Sequence, residues 1–221
     1  MPDIASAIQA IAISFIPFFL GIICHEVAHG YVAYRLGDPT AKLAGRLTMN
    51  PVPHLDPMGT LVFIVTALVP SGFVFGWAKP VPVDPRYFKN PMKGMMLCSA
   101  AGPGTNILLA VLFAIALKLV VTFGGIADAA SASASPLFQI FRAGVLINLI
   151  LAFLNLMPIP PLDGSKIVMG ILPRDLAIKY MSVERYGLLI LMLLLFTGAL
   201  GMVLWPMVTS AAQLIFMLVG L

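Results

Sequence analysis

Charge is scarce in this sequence. Only 10% of its 221 residues are Asp, Glu, Lys or Arg, while 60% are apolar. Globular domains carry about 25% charged residues and about 45–50% apolar ones. A chain of this length exposes too much of its area to hide such an apolar excess in water. A mean hydropathy of +1.02 instead suits a bilayer, where a spanning helix needs about 20 mainly apolar residues. Cysteine is nearly missing too. Cys24 and Cys98 both lie in apolar stretches, which argues against a disulfide framework. There is no basic stripe interleaved with aromatics. The net charge of +4 therefore fits membrane topology and lipid headgroups better than nucleic acid. The first apolar stretch lacks a positive start and a clear small-residue cleavage site, so it reads as a retained helix. No repeat or low-complexity tail divides the chain, and residues 1–221 read as a single integral-membrane domain.

The apolar stretches predict an all-α polytopic membrane protein with roughly four to six transmembrane helices. A re-entrant or short β-hairpin element is expected beside them. The first helix should run from about Ser6 to Leu36, stopped by Gly37-Asp38-Pro39. Thr40–Gly59 is too proline-rich for a helix, and the alternation over Leu43–Met49 predicts a short strand. Thr60–Trp77 is apolar but broken at Val69-Pro70-Ser71-Gly72, and Ala78–Pro91 reads as an extended loop or hairpin. Two long helices follow, from about Lys93 to Phe123 and from about Leu137 to Met157. The last apolar stretch, Gly187–Leu221, is expected to break at Trp205-Pro206. Lys79, Arg86, Lys89 and Lys93 share one loop, and Lys166, Arg174, Lys179 and Arg185 another. Gly124–Pro136 carries one acid and no base. By the positive-inside rule the two basic loops face the cytoplasm and the third lies outside. Thr60–Trp77 must then enter and leave on one side, re-entrant at Pro70.

Histidine is nearly as rare as cysteine, with three in the chain, yet two of them fall in His25-Glu26-Val27-Ala28-His29. Positions four apart lie on one face of a helix. Two imidazoles there can bind one zinc ion, with the adjacent glutamate as general base toward water. The apolar setting sharpens this reading, because Glu at the centre of a spanning helix costs roughly 2.5 kcal/mol or more. Two other readings fit the same residues: a polar cluster that holds a bundle together, and a proton or metal pathway of a transporter. A catalytic zinc also needs a third protein ligand. The candidates are Asp38, His54, Asp56, Asp84 and Asp163, with Asp175 and Glu184 further on. Asp163 directly follows a proline-broken helix end, where irregular backbone at membrane depth requires cover from protein or a water-filled cavity. Ligand and helix N-cap are equally open for it. His54 is the next candidate ligand.

Three patterns together resemble the site-2 proteases, a family of intramembrane zinc proteases. They are His25-Glu26-Val27-Ala28-His29, the segment Asn155-Leu156-Met157-Pro158-Ile159-Pro160-Pro161-Leu162-Asp163-Gly164, and Ala101-Gly102-Pro103-Gly104-Thr105-Asn106. The second is similar to that family's Asn-x-x-Pro-x-Pro-x-Leu-Asp-Gly signature, and the third to its Ala-Gly-Pro segment. The resemblance implies that Asp163 is the third zinc ligand and that Asn155 helps hold the substrate or its oxyanion. It also implies transmembrane protein substrates. The stretches Gly45–Pro57 and Gly76–Val83 look like a compact prokaryotic branch, and no stretch suits a PDZ-type domain.

Other residues carry structural expectations. Asn106 reads as an interhelical hydrogen-bonding residue, Gly102 and Gly104 as sites of close helix packing, and Cys24 as packing. His54 and Asp56 suit either a cavity mouth or a structural turn. The alternation of Lys79–Val83 suits an extended edge that pairs with an unwound substrate. Zinc, water and Glu26 together predict peptide hydrolysis at the cytoplasmic side of a multi-pass cell-membrane protein. The rival class is a membrane transporter or a metal-binding membrane protein without hydrolysis. Glu26 separates them, since only a hydrolase needs a non-ligand acid between the two histidines.

Overall fold

The computed structural model describes residues 4–68, 76–124, 126 and 128–221. Among these residues the regular structure is helical: α1 (Ile4–Arg35), α2 (Thr40–Leu43), α3 (Pro57–Leu68), α4 (Pro91–Phe123), α5 (Ala129–Ala134), α6 (Pro136–Leu156), α7 (Asp163–Ile171), α8 (Arg174–Met181), α9 (Gly187–Phe196) and α10 (Ala199–Val219). Four stretches of the described residues are long and apolar enough to cross a membrane: Ile11–Arg35 of α1, α4, α6 and α10. The chain is thus an all-α, multi-pass membrane protein. The helix starts follow local chemistry. Asn90 accepts the Lys93 amide at 3.1 Å ahead of α4, and Ser135 accepts the Phe138 amide ahead of α6. In both cases proline follows the cap, where its missing N–H costs nothing.

Helix α4 is the central pillar and packs against α1, α6 and α7, while α10 closes on α6. The largest core joins Ala110, Phe113 and Ala114 of α4, Val145 and Leu149 of α6, and Leu204, Val208, Ala212 and Ile215 of α10. A second core sets Phe18, Phe19, Ile22 and Ile23 of α1 against Phe63 of α3. Glycine makes the α4–α6 contact close. A methyl group on Gly144 would stand 2.4 Å from the Phe113 ring. The opposite faces stay apolar and uncovered, as at Leu112, Leu119 and Val203, which is the distribution a lipid solvent permits.

Three expectations need correction. No strand forms over Leu43–Met49. Thr40–Leu43 is a helical turn, and Gly45 at φ +66 reverses the chain. The Arg46 amide then bonds back to the Ala41 carbonyl at 2.9 Å. Of the two forms expected for 78–91, the loop is found and the hairpin is not: the segment contributes one antiparallel bridge, Leu55 with Ala78, and otherwise runs without a ladder. Finally, α10 passes through Pro206 without a break, since a single lost backbone bond is tolerated in spanning helices. The break falls earlier, at Gly198, which adopts φ +75 between α9 and α10. The break expected at Val69-Pro70-Ser71-Gly72 lies outside the described residues.

Candidate metal centre

His25, Glu26 and His29 sit in the C-terminal half of α1, and Asp163 is the first residue of α7. The tertiary fold brings them together across 138 positions of sequence. His25 Nε2 lies 3.1 Å from Asp163 Oδ2, and His29 Nε2 lies 3.2 Å from the same oxygen. One ligand atom from each of the three residues falls within 4.8 Å of the others. The N-cap position of α7 is taken by Leu162, and the Asp163 carboxylate is turned to the imidazoles.

The two rings are oriented from behind. His29 Nδ1 donates to the Cys98 carbonyl at 2.7 Å, and a carbonyl only accepts. His25 Nδ1 meets Asn106 Oδ1 at 2.6 Å. The Asn106 amide nitrogen donates to the Gly21 carbonyl at 3.1 Å and to Asn148 Oδ1 at 3.0 Å. Asn148 in turn donates to the Gly144 carbonyl at 2.9 Å. That chain of donors and acceptors leaves Oδ1 as the atom facing His25, so His25 Nδ1 carries a proton as well. In the neutral imidazoles each Nε2 is then the lone-pair atom, and it faces the Asp163 carboxylate, so the three atoms could together take up a cation. Two imidazole nitrogens and one carboxylate are a donor set that catalytic zinc takes from protein, with the outer partners that fix the tautomer.

Glycines let the elements approach. A Cβ on Gly102 would lie 2.5 Å from His29 Cε1 and 2.7 Å from His25 Cε1, so α4 passes directly behind both rings. A Cβ on Gly164 would lie 2.1 Å from the Leu156 carbonyl. That contact folds the start of α7 back on the end of α6 and delivers Asp163. Gly104 does not share this role, for nothing lies within 4 Å of its Cβ position.

Glu26 stands beside the cluster without joining it, and its Oε2 accepts the Val81 amide at 2.7 Å. His54 is not a ligand. It is buried, and both ring nitrogens are engaged: Nε2 with the Thr48 carbonyl at 2.9 Å and Nδ1 with Arg46 at 3.5 Å. Asp56 accepts the Gly59 amide at 2.8 Å at the start of α3, a structural turn. Asp38 is fully buried and accepts amides from Thr40 and Asp84. Asn155 donates to the Leu151 carbonyl of its own helix at 2.9 Å. The edge expected at Lys79–Val83 has half of its polar backbone groups occupied within the protein: the Lys79 amide and carbonyl, the Pro80 carbonyl and the Val81 amide. Sequence reasoning missed Asn148, the Cys98 carbonyl and the Val81 amide. Asn148 was findable as a polar residue in an apolar helix; the other two are backbone atoms and leave no residue signal.

The family model of peptidase family M50 matches residues 117–198, a span that includes Asn155 and Asp163. The chain is 39% identical over 203 residues to the "Putative zinc metalloprotease YwhC" of Bacillus subtilis, covering 92% of this chain and 89% of that protein. It is 29% identical over 184 residues to the "Putative zinc metalloprotease Rip2" of Mycolicibacterium smegmatis, covering 83% of this chain and 66% of that protein. The Rip2 of Mycobacterium tuberculosis is 28% identical over 151 residues, 66% of this chain and 52% of that protein. No solved structure gives a significant match. With that overall likeness and the convergence of its motifs, the chain belongs to peptidase family M50, the family of intramembrane zinc proteases that its motifs resemble.

Proposed function

We propose that His25, His29 and Asp163 hold one zinc ion and that Glu26 is the general base for hydrolysis of peptide bonds in membrane-embedded protein substrates. The observation that carries this reading is the meeting of three ligand atoms within 4.8 Å, with both Nδ1 positions already spent on Asn106 and Cys98. Zinc bound there supplies Lewis acidity toward water and the scissile carbonyl. Glu26 takes the proton of the attacking water and delivers it to the leaving amine. The Val81 amide holds the Glu26 carboxylate in place meanwhile. Asn155 is a further donor for the developing oxyanion once its side chain turns from Leu151 toward substrate. A substrate helix must unwind locally, because its carbonyls are otherwise bound in the i→i−4 ladder.

The site lies nearer the cytoplasmic side. At 1.5 Å per residue, His29 and His25 are about 9 and 15 Å from the α1 end at Arg35. That end adjoins the basic 78–93 loop, which the positive-inside rule assigns to the cytoplasm. Transmembrane proteins presented from the bilayer are the substrates, as in regulated intramembrane proteolysis, and residues 1–221 act as one domain. The test is zinc content of the detergent-purified protein beside the double variant His25→Ala/Asp163→Ala, with cleavage of dye-labelled casein measured for wild type and Glu26→Gln. About one zinc per chain, absent from the double variant, supports the ligand set. Glu26→Gln should retain zinc and lose cleavage by about 10²-fold or more. Undiminished cleavage in that variant would sink Glu26 as the base.

A further inference from the structure

Arg46 is the charged residue that the zinc site does not explain. It is only 6% exposed, and among the described residues no ion pair involves it. Its Nε is buried without a hydrogen-bond partner. An unpaired buried cation is costly, so its surroundings indicate what holds it there. Nη1 donates to the Pro80 carbonyl at 3.3 Å, and Nη2 donates to the Lys79 carbonyl. His54 Nδ1 faces Nη2 at 3.5 Å. Because His54 Nε2 donates to the Thr48 carbonyl, its Nδ1 is left as the acceptor for the guanidinium. The His54 carbonyl meanwhile receives the Lys79 amide at 2.8 Å.

All of these contacts converge on the short extended run Lys79-Pro80-Val81-Pro82. Prolines at 80 and 82 have no N–H, so the run cannot be held by an ordinary strand ladder. Its one amide beyond Lys79 belongs to Val81, and that amide donates to Glu26 Oε2 at 2.7 Å. The far end is tied by Asp38, whose Oδ2 accepts the Asp84 amide at 2.7 Å. Gly30 of α1 leaves room beneath, since a Cβ there would stand 2.8 Å from Val81 Cγ1. The peptide that touches Glu26 is therefore located by side chains on both flanks, and Arg46 grips that peptide's own Pro80 carbonyl and the Lys79 carbonyl before it.

We propose that Arg46 is a positioning residue for the general base: by clamping the Lys79 and Pro80 carbonyls it fixes the Val81 amide against Glu26. It touches neither the metal ligands nor the reacting atoms. The inference rests on the reading of Glu26 as base, and its test separates the two. Wild type, Arg46→Gln, Glu26→Asp and the double variant are compared in detergent with dye-labelled casein, alongside zinc content and amide exchange of the 78–84 segment.

Arg46→Gln should lower kcat by about 10- to 100-fold, the cost of a small misplacement of a reacting group, with KM within about twofold. It should keep one zinc per chain and accelerate exchange in 78–84 while sparing α1 and α4. Arg46→Lys, which can still reach one carbonyl, should recover part of kcat. In Glu26→Asp the shorter carboxylate no longer reaches Val81, so adding Arg46→Gln should cost little more. An unchanged kcat in Arg46→Gln would overturn the clamp, as would an equal loss in both backgrounds or loss of zinc in a folded protein. Should Arg46→Gln fail to fold, the cycle run with Arg46→Lys decides by the same criteria. If instead Glu26→Gln stays active, it is the base assignment that fails.

Discussion

His25 and His29 owe their common face to helical spacing, but their fitness as the proposed ligands comes from what stands behind them. The Asn106 carboxamide and the Cys98 carbonyl hold the two Nδ1 protons, and Gly102 lets both rings lie against α4. Replacing Asn106 with Ala frees the His25 ring and strands the Asn148 carboxamide that Asn106 now engages. Zinc affinity should fall by about 10- to 100-fold, read by competition with a chelator of known strength. Gly102→Ala places a methyl group 2.5 Å from the His29 ring. It should lower zinc occupancy even though no ligand is changed; full occupancy would mean that α4 can retreat from α1. The motif His-Glu-x-x-His was legible in the sequence because its spacing is local. Asn106 was legible as an interhelical hydrogen-bonding residue, as it proves to be, but that it and the Cys98 carbonyl meet these two rings was not, because they come from 81 and 69 positions away.

Among the elements, α7 decides whether a site exists. It begins at Asp163, one residue after the Pro158-Ile159-Pro160-Pro161 turn, and the Gly164 Cβ position lies 2.1 Å from the Leu156 carbonyl and 2.5 Å from that of Met157. Those atoms are backbone and cannot swing aside. Gly164→Ala should push α7 from α6, costing about 1–3 kcal/mol as an overpacked contact does. Thermal unfolding in detergent should show the lower midpoint, and zinc content should drop with it. At α3, Asp56 accepts the Gly59 amide, so Asp56→Ala should weaken the helix start by about 1 kcal/mol. Faster amide exchange confined to the first turn of α3, with zinc retained, is the expected signature. Loss of zinc there would return Asp56 to the cavity mouth. The strand expected over Leu43–Met49 failed for a tertiary reason. Alternation alone makes no strand where no neighbour offers a ladder, and here Gly45 turns the chain and Arg46 is drawn to the Lys79 and Pro80 carbonyls.

For the whole molecule, the end of α1 and the start of α4 lie on one side, since they meet around Ala33, Phe88 and Cys98. The described part of α3, Pro57–Leu68, packs beside α1 through Phe63. Single cysteines introduced at Lys89 and at Ala130 should therefore label from opposite faces of sealed vesicles, the first from the cytoplasmic face. Labelling of both from one face would reject this topology and, with it, the cytoplasmic side of the site.

Composition by itself determined the solvent: a chain with so few charges and so many apolar residues belongs in lipid, and its helices could be counted to within the stated range. Local spacing determined the pair of histidines and the acid between them, since four residues of helix bring side chains to one face. Tertiary structure alone decided the rest. It separated Asp163 from the helix-cap reading by turning its carboxylate to both imidazoles, and it removed His54 by burying it against Arg46 and Thr48. It moved the final helix break from Pro206 to Gly198, and it set the Val81 amide on Glu26. The physical reason is common to all four. Burial and hydrogen-bond satisfaction are properties of which segments meet, and distances of 2.7 to 3.2 Å between residues far apart in sequence arise only when helices close around glycines that no periodicity marks.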